Sequence, residues 1–383
     1  MRPPRLPAAV FLAWLAIWAF PAALCAWAEP PQGRPWRAAY VEGGPSHDHQ
    51  LVFQALAREL ARQDNSNLWD APLGADAESN QALWKWLAGR SWPRLDFLPD
   101  GYYSAGWDRE RRALNKAALL KRLQERRDVD LILALGTWAG QDLATAEHGV
   151  PVLVLASNDP VESGVTASAE DSGLDHVAAL FDPRRTERQL SIFHDIFRFR
   201  RLGLVYEDSP SGRAYANLAE VQKSAARLGF QVVPCTGNVN STDRGEAVAA
   251  QLACHRRLAP LVDAIFLTQN TGVAHERMGE LLEPLIQAGL PTFSQLGAAE
   301  VRLGVLLSIA QSDYQEIAQA AGRAVEAIIQ GQKPRSLDQT YETSFNIAVN
   351  LRTAMNIGWD PPWSVLAAVD EIFKHIQKVD LDQ

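Results

Sequence analysis

The sequence lacks the hallmarks of several large protein classes. It has no internal repeat and no low-complexity tract across its 383 residues, which argues against solenoid and disordered proteins. It contains no G-x-S-x-G elbow, no phosphate-binding loop and no H-E-x-x-H pair. Its Ser, His and Asp residues follow no recognised catalytic order. The sequence therefore predicts a protein that is not an enzyme and that uses no cofactor.

Basic residues are too few for a typical nucleic-acid binder. Lys and Arg total 37 against 45 Asp and Glu, which gives a formal net charge of -8. Contacts to phosphate need clustered Lys and Arg. The arginines within 109–112 and 198–201 are instead interleaved with acidic or apolar residues. We therefore predict that nucleic acid is not among the partners.

The first residues have the pattern of a secretory signal peptide. Arg2 and Arg5 precede an uncharged run over residues 6–25, and Ala26-Trp27-Ala28 follows that run. A basic start, an apolar middle and an A-x-A end are typical of a cleaved signal. The sequence therefore predicts a signal peptide over residues 1–28 and a mature protein in the periplasm.

Two alternatives to cleavage after Ala28 remain. The uncharged run is long enough to span a bilayer as an uncleaved anchor, although Pro21 interrupts it. Cys25 suggests a lipoprotein, but bulky Leu24 stands where a small residue is needed.

Few cysteines are available for disulfides. Only Cys235 and Cys254 follow the predicted cleavage site. An even number in an oxidising compartment permits one disulfide between them. Two unpaired buried cysteines are the alternative, because a Cα separation cannot be read from sequence.

Apolar runs of strand length alternate with amphipathic helices through most of the chain. Examples are residues 130–135 and 151–156 in the first half, and residues 202–206 in the second. This alternation predicts an α/β fold of two doubly wound parallel-sheet lobes joined by a hinge. The predicted N-terminal lobe comprises residues 36–160 and 309–340, and the C-terminal lobe comprises residues 161–308 and 341–376.

Several of these segments resemble one family in their order and spacing. They are the segments 130–137, 151–161, 202–211 and 268–271, and the tail 345–351 with its following Pro361-Pro362. Together they resemble the ABC transporter substrate-binding family of the type I periplasmic binding protein fold. The resemblance covers about residues 125–376 well and 36–125 weakly. It implies a monomeric two-lobed clamp that holds a small molecule for a membrane permease.

The chain departs from that family in two places. Residues 65–92 look like an insertion rich in Trp, and its role stays open. Trp138 follows Thr137 where the family often has a small residue or proline. Both departures bear on ligand choice, so the resemblance does not supply the ligand.

The turns that follow the predicted strands are the candidate binding site, because ligands of doubly wound sheets bind outside the carboxyl ends of the strands. Thr137 opens a helix whose free N–H groups suit a carboxylate, or it only caps that helix. Asp159 binds an ammonium group or lies in a solvated turn. Trp138 stacks on the ligand or packs within its lobe, and Ser209 and Ser211 cap a helix, bind a carboxylate, or do both. The predicted ligand-binding residues are Glu42, Thr137, Trp138, Asn158, Asp159, Ser209, Ser211, Thr268, Asn270, Thr271 and Ser294.

The triplet His47-Asp48-His49 suggests a metal site. It lacks a third and a fourth ligand at helical spacing. We therefore predict that these residues form a solvated helix start and that the chain holds no metal.

These observations predict a periplasmic solute-binding protein of an ABC importer, with an amino acid or a related carboxylate as the leading ligand. A sensory subunit that docks on a membrane histidine kinase is the alternative, since both roles use the same ligand-bound surface. A periplasmic α/β enzyme and a docking protein without a ligand are further alternatives.

Overall fold

The computed structural model of the protein describes residues 33–68, 70–73, 80–311 and 314–378. The predicted signal peptide and part of the Trp-rich insertion, including Trp69, lie outside these ranges. None of the helices in these ranges is both long and apolar enough to cross a membrane.

A parallel sheet forms the centre of the first lobe. Over the described residues its strands are β1 (Trp36–Glu42), β2 (Leu95–Ser104), β3 (Leu131–Leu135), β4 (Val152–Leu155) and β5 (Val177–Ala179). They lie side by side in the order β2-β1-β3-β4-β5, and every neighbouring pair is parallel. The central strands are buried along their whole length, because helices cover both faces of the sheet.

The two faces of this sheet have separate cores. One is covered by α1 (His47–Gln63), α2 (Asn80–Ala88) and α11 (Gln315–Ile329), and the other by α3 (Arg109–Glu125) and α4 (Gly136–Leu143). Tyr40 and Leu133 pack towards the first set of helices, where Trp84 is fully buried. Their neighbours Ala39 and Ile132 pack towards the second set. This alternation is the two-residue period of strand side chains.

The second lobe is built on a larger sheet. Its strands within the described ranges are β6 (Arg201–Tyr206), β7 (Gln231–Thr236), β8 (Ala264–Leu267), β9 (Thr292–Ser294), β10 (Leu307–Gln311), β11 (Phe345–Asn350) and β12 (Glu371–Phe373). Their order is β12-β11-β10-β9-β8-β6-β7. The pairs are parallel except β10 with β11, which is antiparallel. The alternating pattern had suggested a wholly parallel sheet. The sheet instead contains one antiparallel pair, β10 with β11.

Helices again cover both faces of the sheet. One face carries α5 (Arg185–Phe197), α7 (Leu218–Leu228) and α12 (Leu351–Asn356), and the other carries α8 (Arg244–Leu258), α9 (Met278–Gln287) and α10 (Ala298–Arg302). The remaining helices are the short α6 (Pro210–Tyr215) and α13 (Trp363–Leu366). The segment 214–228 has the apolar spacing of one continuous helix. The chain instead divides it at Asn217, which adopts the left-handed conformation that Asn tolerates better than most residues.

A disulfide ties α8 to the edge strand β7. It joins Cys235 to Cys254, whose Cα atoms are 5.7 Å apart, and both residues are buried. Of the two alternatives left open by the sequence, the structure has the bonded pair.

The chain crosses between the lobes after β5, after β10 and after α11. Two of these crossovers are joined to each other. Phe181 forms a parallel bridge with Thr340, and the Asp182 carboxylate accepts hydrogen bonds from the backbone N–H and the hydroxyl of Thr343. The predicted division at residue 160 falls before β5, a strand of three residues that is too short to show as an apolar run.

Candidate functional site

A cavity of about 450 Å³ lies between the lobes, beside the crossovers. The first lobe supplies the start of α1, the chain after β4 and the start of α11. The second lobe supplies the residues around the start of α5 and the start of α7. Small-molecule sites typically enclose about 300–1,000 Å³. The cavity therefore has the size and the position of a ligand site shared by two lobes.

Asp159 lines this cavity from the turn after β4. The carboxylate accepts hydrogen bonds from the backbone N–H groups of Val161 and Glu162, at 3.1 and 2.9 Å. Burial raises the pKa of Asp159, and the neighbouring charge of Glu162 raises it further, although the two backbone bonds oppose this. Among the described residues, no cation forms an ion pair with Asp159. Its charge suits a cationic group of a ligand.

A positively charged residue, Arg185, lies at the start of α5. Arg185 lines the cavity and donates one hydrogen bond, from Nη2 to the backbone oxygen of Gln295 at 3.2 Å. Within the described ranges, no carboxylate forms an ion pair with its guanidinium. Arg185 is therefore placed to bind a ligand carboxylate.

Two tyrosines mark the end of the cavity at the crossovers. Tyr314 donates a hydrogen bond from its hydroxyl to Asp48, at 2.6 Å. Burial raises the pKa of Tyr314, the Asp48 charge raises it further, and Arg185 lowers it. Burial also raises the pKa of Tyr341, which experiences the charges of the same Arg185 and Asp48. Asp48 and Arg185 therefore lie at the same end of the cavity.

Asn158 is a predicted site residue that reaches across the cleft. Its Nδ2 donates to Gln269 Oε1 at 2.5 Å and to the backbone oxygen of Tyr215 at 3.3 Å. Ser211 makes a second bridge, from its hydroxyl to Gln141 Oε1 at 3.3 Å. These bonds join the lobes in a closed arrangement. Of the predicted residues, only Asn158 and Asp159 line the cavity.

The other predicted residues of the first lobe have partners within that lobe. The hydroxyl of Thr137 lies 3.2 Å from that of Ser157, and Glu42 is buried against tyrosine hydroxyls. Trp138 packs against Trp107 with ring centroids 5.6 Å apart and lies under the guanidinium of Arg112. Of the two roles considered for Trp138, these contacts favour packing.

Most of the predicted residues of the second lobe form hydrogen bonds with other groups of that lobe. Ser209 caps α6 by accepting from the N–H of Gly212, and Thr268 donates to the backbone oxygen of Val205. Asn270 Oδ1 likewise accepts from the N–H of Val273. The Ser294 hydroxyl accepts from the N–H of Leu296 and donates to the Glu300 carboxylate, and Thr271 is exposed. None of these residues lines the cavity.

The triplet at the start of α1 divides between two environments. Asp48 lines the cavity, whereas His49 is only 4% exposed, so the prediction of a solvated helix start was wrong for His49. Burial lowers the pKa of His49 and favours its neutral form. In the part of the chain that the structure describes, no cluster of His, Cys, Asp or Glu has the arrangement of a metal site.

Sequence reasoning did not identify Arg185, Tyr314 or Tyr341 as site residues. They belong to the crossovers and helix starts that meet only when the lobes are assembled. The local sequence around each of these residues does not show that they come together. Asp48 was visible only as part of the suspected metal triplet.

Comparison with known proteins gives a consistent family and fold. The family described as ABC transporter substrate binding protein matches residues 107–372. A conserved domain protein from Vibrio cholerae has a similar structure, with a TM-score of 0.65 and 20% identity over 88% of this chain and 100% of that one. No curated protein matches the sequence significantly.

Two further solved structures are similar at comparable coverage. One is an ABC domain in complex with L-Trp from Streptococcus pneumoniae, with a TM-score of 0.62 and 17% identity over 88% of this chain and 100% of that one. The other is a ligand-free, open substrate binding protein with adhesive properties from Clostridium difficile, with a TM-score of 0.58 and 15% identity over 89% of this chain and 100% of that one.

Proposed function

The chain belongs to the ABC transporter substrate binding protein family, and on that premise we propose that it captures a small solute for an ABC-type importer. Its fold is that of type I periplasmic binding proteins. The observation that carries the proposal is the cavity between the lobes, because both lobes contribute charged side chains to its wall.

The arrangement supports a clamp that closes on its ligand. A solute in the cavity touches Asp159 of the first lobe and Arg185 of the second, so it binds the closed form better than the open form. The bridges from Asn158 to Gln269 and from Ser211 to Gln141 would form at the same time. The crossovers between the lobes would act as the hinge.

We propose an amino acid or a closely related compound as the ligand. An α-amino acid has an ammonium group for a cavity carboxylate and a carboxylate for Arg185. Apolar side chains of Val52, Leu180 and Ile317 also line the cavity and would cover its carbon atoms. The structure from Streptococcus pneumoniae, with L-Trp bound, has a ligand of this general class.

The remaining parts of the proposal concern export and delivery. The segment 1–28 would direct the chain out of the cytoplasm and be removed. The mature protein would act as a monomer in the periplasm and present its closed form to a membrane permease. It would perform no chemistry on the solute.

A thermal-shift screen of the purified protein tests this function. Amino acids, aromatic acids, nucleosides and sugars would each be added, and an amino acid is expected to raise the melting temperature. A ligand at a hundred times its dissociation constant adds about 2.7 kcal/mol of stability. Arg185→Gln should abolish that stabilisation, because it removes the cation that binds the ligand carboxylate.

Arg184→Gln is the matched control for this screen. Arg184 lines the same cavity but already pairs with Glu187 at 3.7 Å, so its loss should leave the amino-acid shift intact. A shift with sugars alone would retain the clamp and replace the ligand class. Absence of a shift with every class would contradict solute binding.

A further inference from the structure

We propose that the solute carries a net positive charge and is a basic amino acid, with two cationic groups and one carboxylate. This inference deepens the proposed function and rests on it. It comes from the balance of charges around the cavity between the lobes.

Most charged side chains around the cavity are already neutralised by neighbours. Four of its carboxylates have cationic partners among the described residues. These pairs are Glu162 with Arg213, Asp182 with Arg188, Glu187 with Arg184, and Glu220 with Lys223. Because each pair is internally compensated, none of them demands a charged group on the ligand. A fifth carboxylate, that of Glu170, is exposed to solvent.

Apart from the exposed Glu170, three charges of the cavity wall lack an ion-pair partner among the described residues. Within the described part of the chain, Asp48 bonds only to the Tyr314 hydroxyl, Asp159 only to two backbone N–H groups, and Arg185 only to a backbone oxygen. Holding a charge out of water without an opposite charge is unfavourable. Two such anions face one such cation, so the wall has an excess of one negative charge.

A neutral zwitterionic amino acid leaves one of these carboxylates uncompensated. A basic amino acid compensates both carboxylates and also pairs its own carboxylate with Arg185. The surroundings suggest its orientation. Asp48 and Arg185 lie at the crossover end and suit the α-ammonium and the α-carboxylate, while Asp159 in the turn after β4 suits the side-chain cation.

The environment of Asp159 supports this assignment. Burial raises the pKa of its carboxyl group above the ordinary value. A cation pairs only with the ionised form. Affinity for the cationic ligand should therefore fall as the pH is lowered through the raised pKa of Asp159, by up to about tenfold per pH unit.

Titration calorimetry on the purified protein compares ligands that differ in one charged group. L-Lysine and L-arginine should bind, whereas L-norleucine, which has the carbon chain of lysine without the terminal amine, should bind at least about thirtyfold more weakly. Cadaverine, which lacks the carboxylate, should also bind more weakly than lysine because it leaves Arg185 unpaired.

Variants of the cavity wall assign the charge to its residue. Asp159→Asn keeps an oxygen for the two backbone N–H groups but removes the negative charge. It should therefore weaken lysine binding at least about thirtyfold and leave norleucine binding unchanged. Glu220→Gln removes the same charge from the same wall, but Glu220 is already paired with Lys223, so lysine binding should be unchanged.

The outcomes separate this inference from the proposed function. If norleucine or tryptophan binds as tightly as lysine, the protein is an amino-acid binder and the net positive charge is disproved. If Asp159→Asn weakens lysine and norleucine equally, the turn residue acts through structure and the assignment fails. If no amino acid binds, the ligand class of the proposed function fails as well.

Discussion

Replacing Glu42 by alanine is expected to lower the free energy of unfolding by about 3 kcal/mol, because each buried donor that loses its acceptor costs about 1–3 kcal/mol. Glu42 is 3% exposed at the end of β1. Its carboxylate accepts from the hydroxyls of Tyr40 and Tyr102, each at 2.7 Å, and from Asn80 Nδ2 at 3.2 Å. Alanine would leave these donors without their acceptor in the core of the first lobe. Urea unfolding followed by circular dichroism measures the loss.

Two variants show whether the loss comes from these hydrogen bonds. Glu42→Gln retains a side-chain oxygen for the tyrosine hydroxyls and should be less destabilising than alanine. Glu147→Ala changes an exposed glutamate and should stay within about 0.5 kcal/mol of the parent. A Glu42→Ala protein as stable as the parent would contradict the structural role of Glu42.

The same variant tests a prediction made from the sequence. Glu42 was predicted to bind the ligand because it follows a strand at the expected sheet edge. The structure places it outside the cavity lining. We therefore expect a folded Glu42→Ala protein to keep its ligand affinity, and a selective loss of affinity at unchanged stability would restore the sequence prediction.

The alternation of strands and helices could be read from the sequence because burial leaves a local pattern. Leu131–Leu135 and Val152–Leu155 are apolar throughout, since helices cover both faces of their sheet. A very short strand can leave no such pattern. β5 contains three residues, was not predicted, and completes the first sheet beyond the predicted boundary.

The candidate site was only partly accessible to the same reasoning. The rule that ligands bind at the carboxyl ends of strands selected Asn158 and Asp159, which line the cavity. The same rule also selected Ser209 and Thr268, which do not line the cavity. Their hydroxyls bond to backbone groups, as hydroxyl residues after a strand often do. Arg185 was missed, since its place in the site depends on how the two lobes meet.

Removing the disulfide is expected to cost about 3 kcal/mol of stability, because the bond closes a loop and restricts the unfolded chain. Cys235 and Cys254 are 19 residues apart in sequence and are buried between β7 and α8. The double variant Cys235→Ala with Cys254→Ala should show this loss in urea unfolding. Dithiothreitol should lower the stability of the parent protein to a similar extent and leave the double variant unchanged. Equal stability of parent and variant would contradict a stabilising role for the bond.

The number of free thiols connects this bond to the proposed export. The whole sequence has three cysteines, and the first of them, Cys25, lies within the segment 1–28. After export, unfolded protein without reductant should contain no free thiol, because Cys25 has been removed and the other two cysteines are bonded. One free thiol would mean that the segment was retained with the bond formed. Two free thiols would mean that the segment was removed without the bond, and an oxidising compartment would then have no part in the stability of this protein.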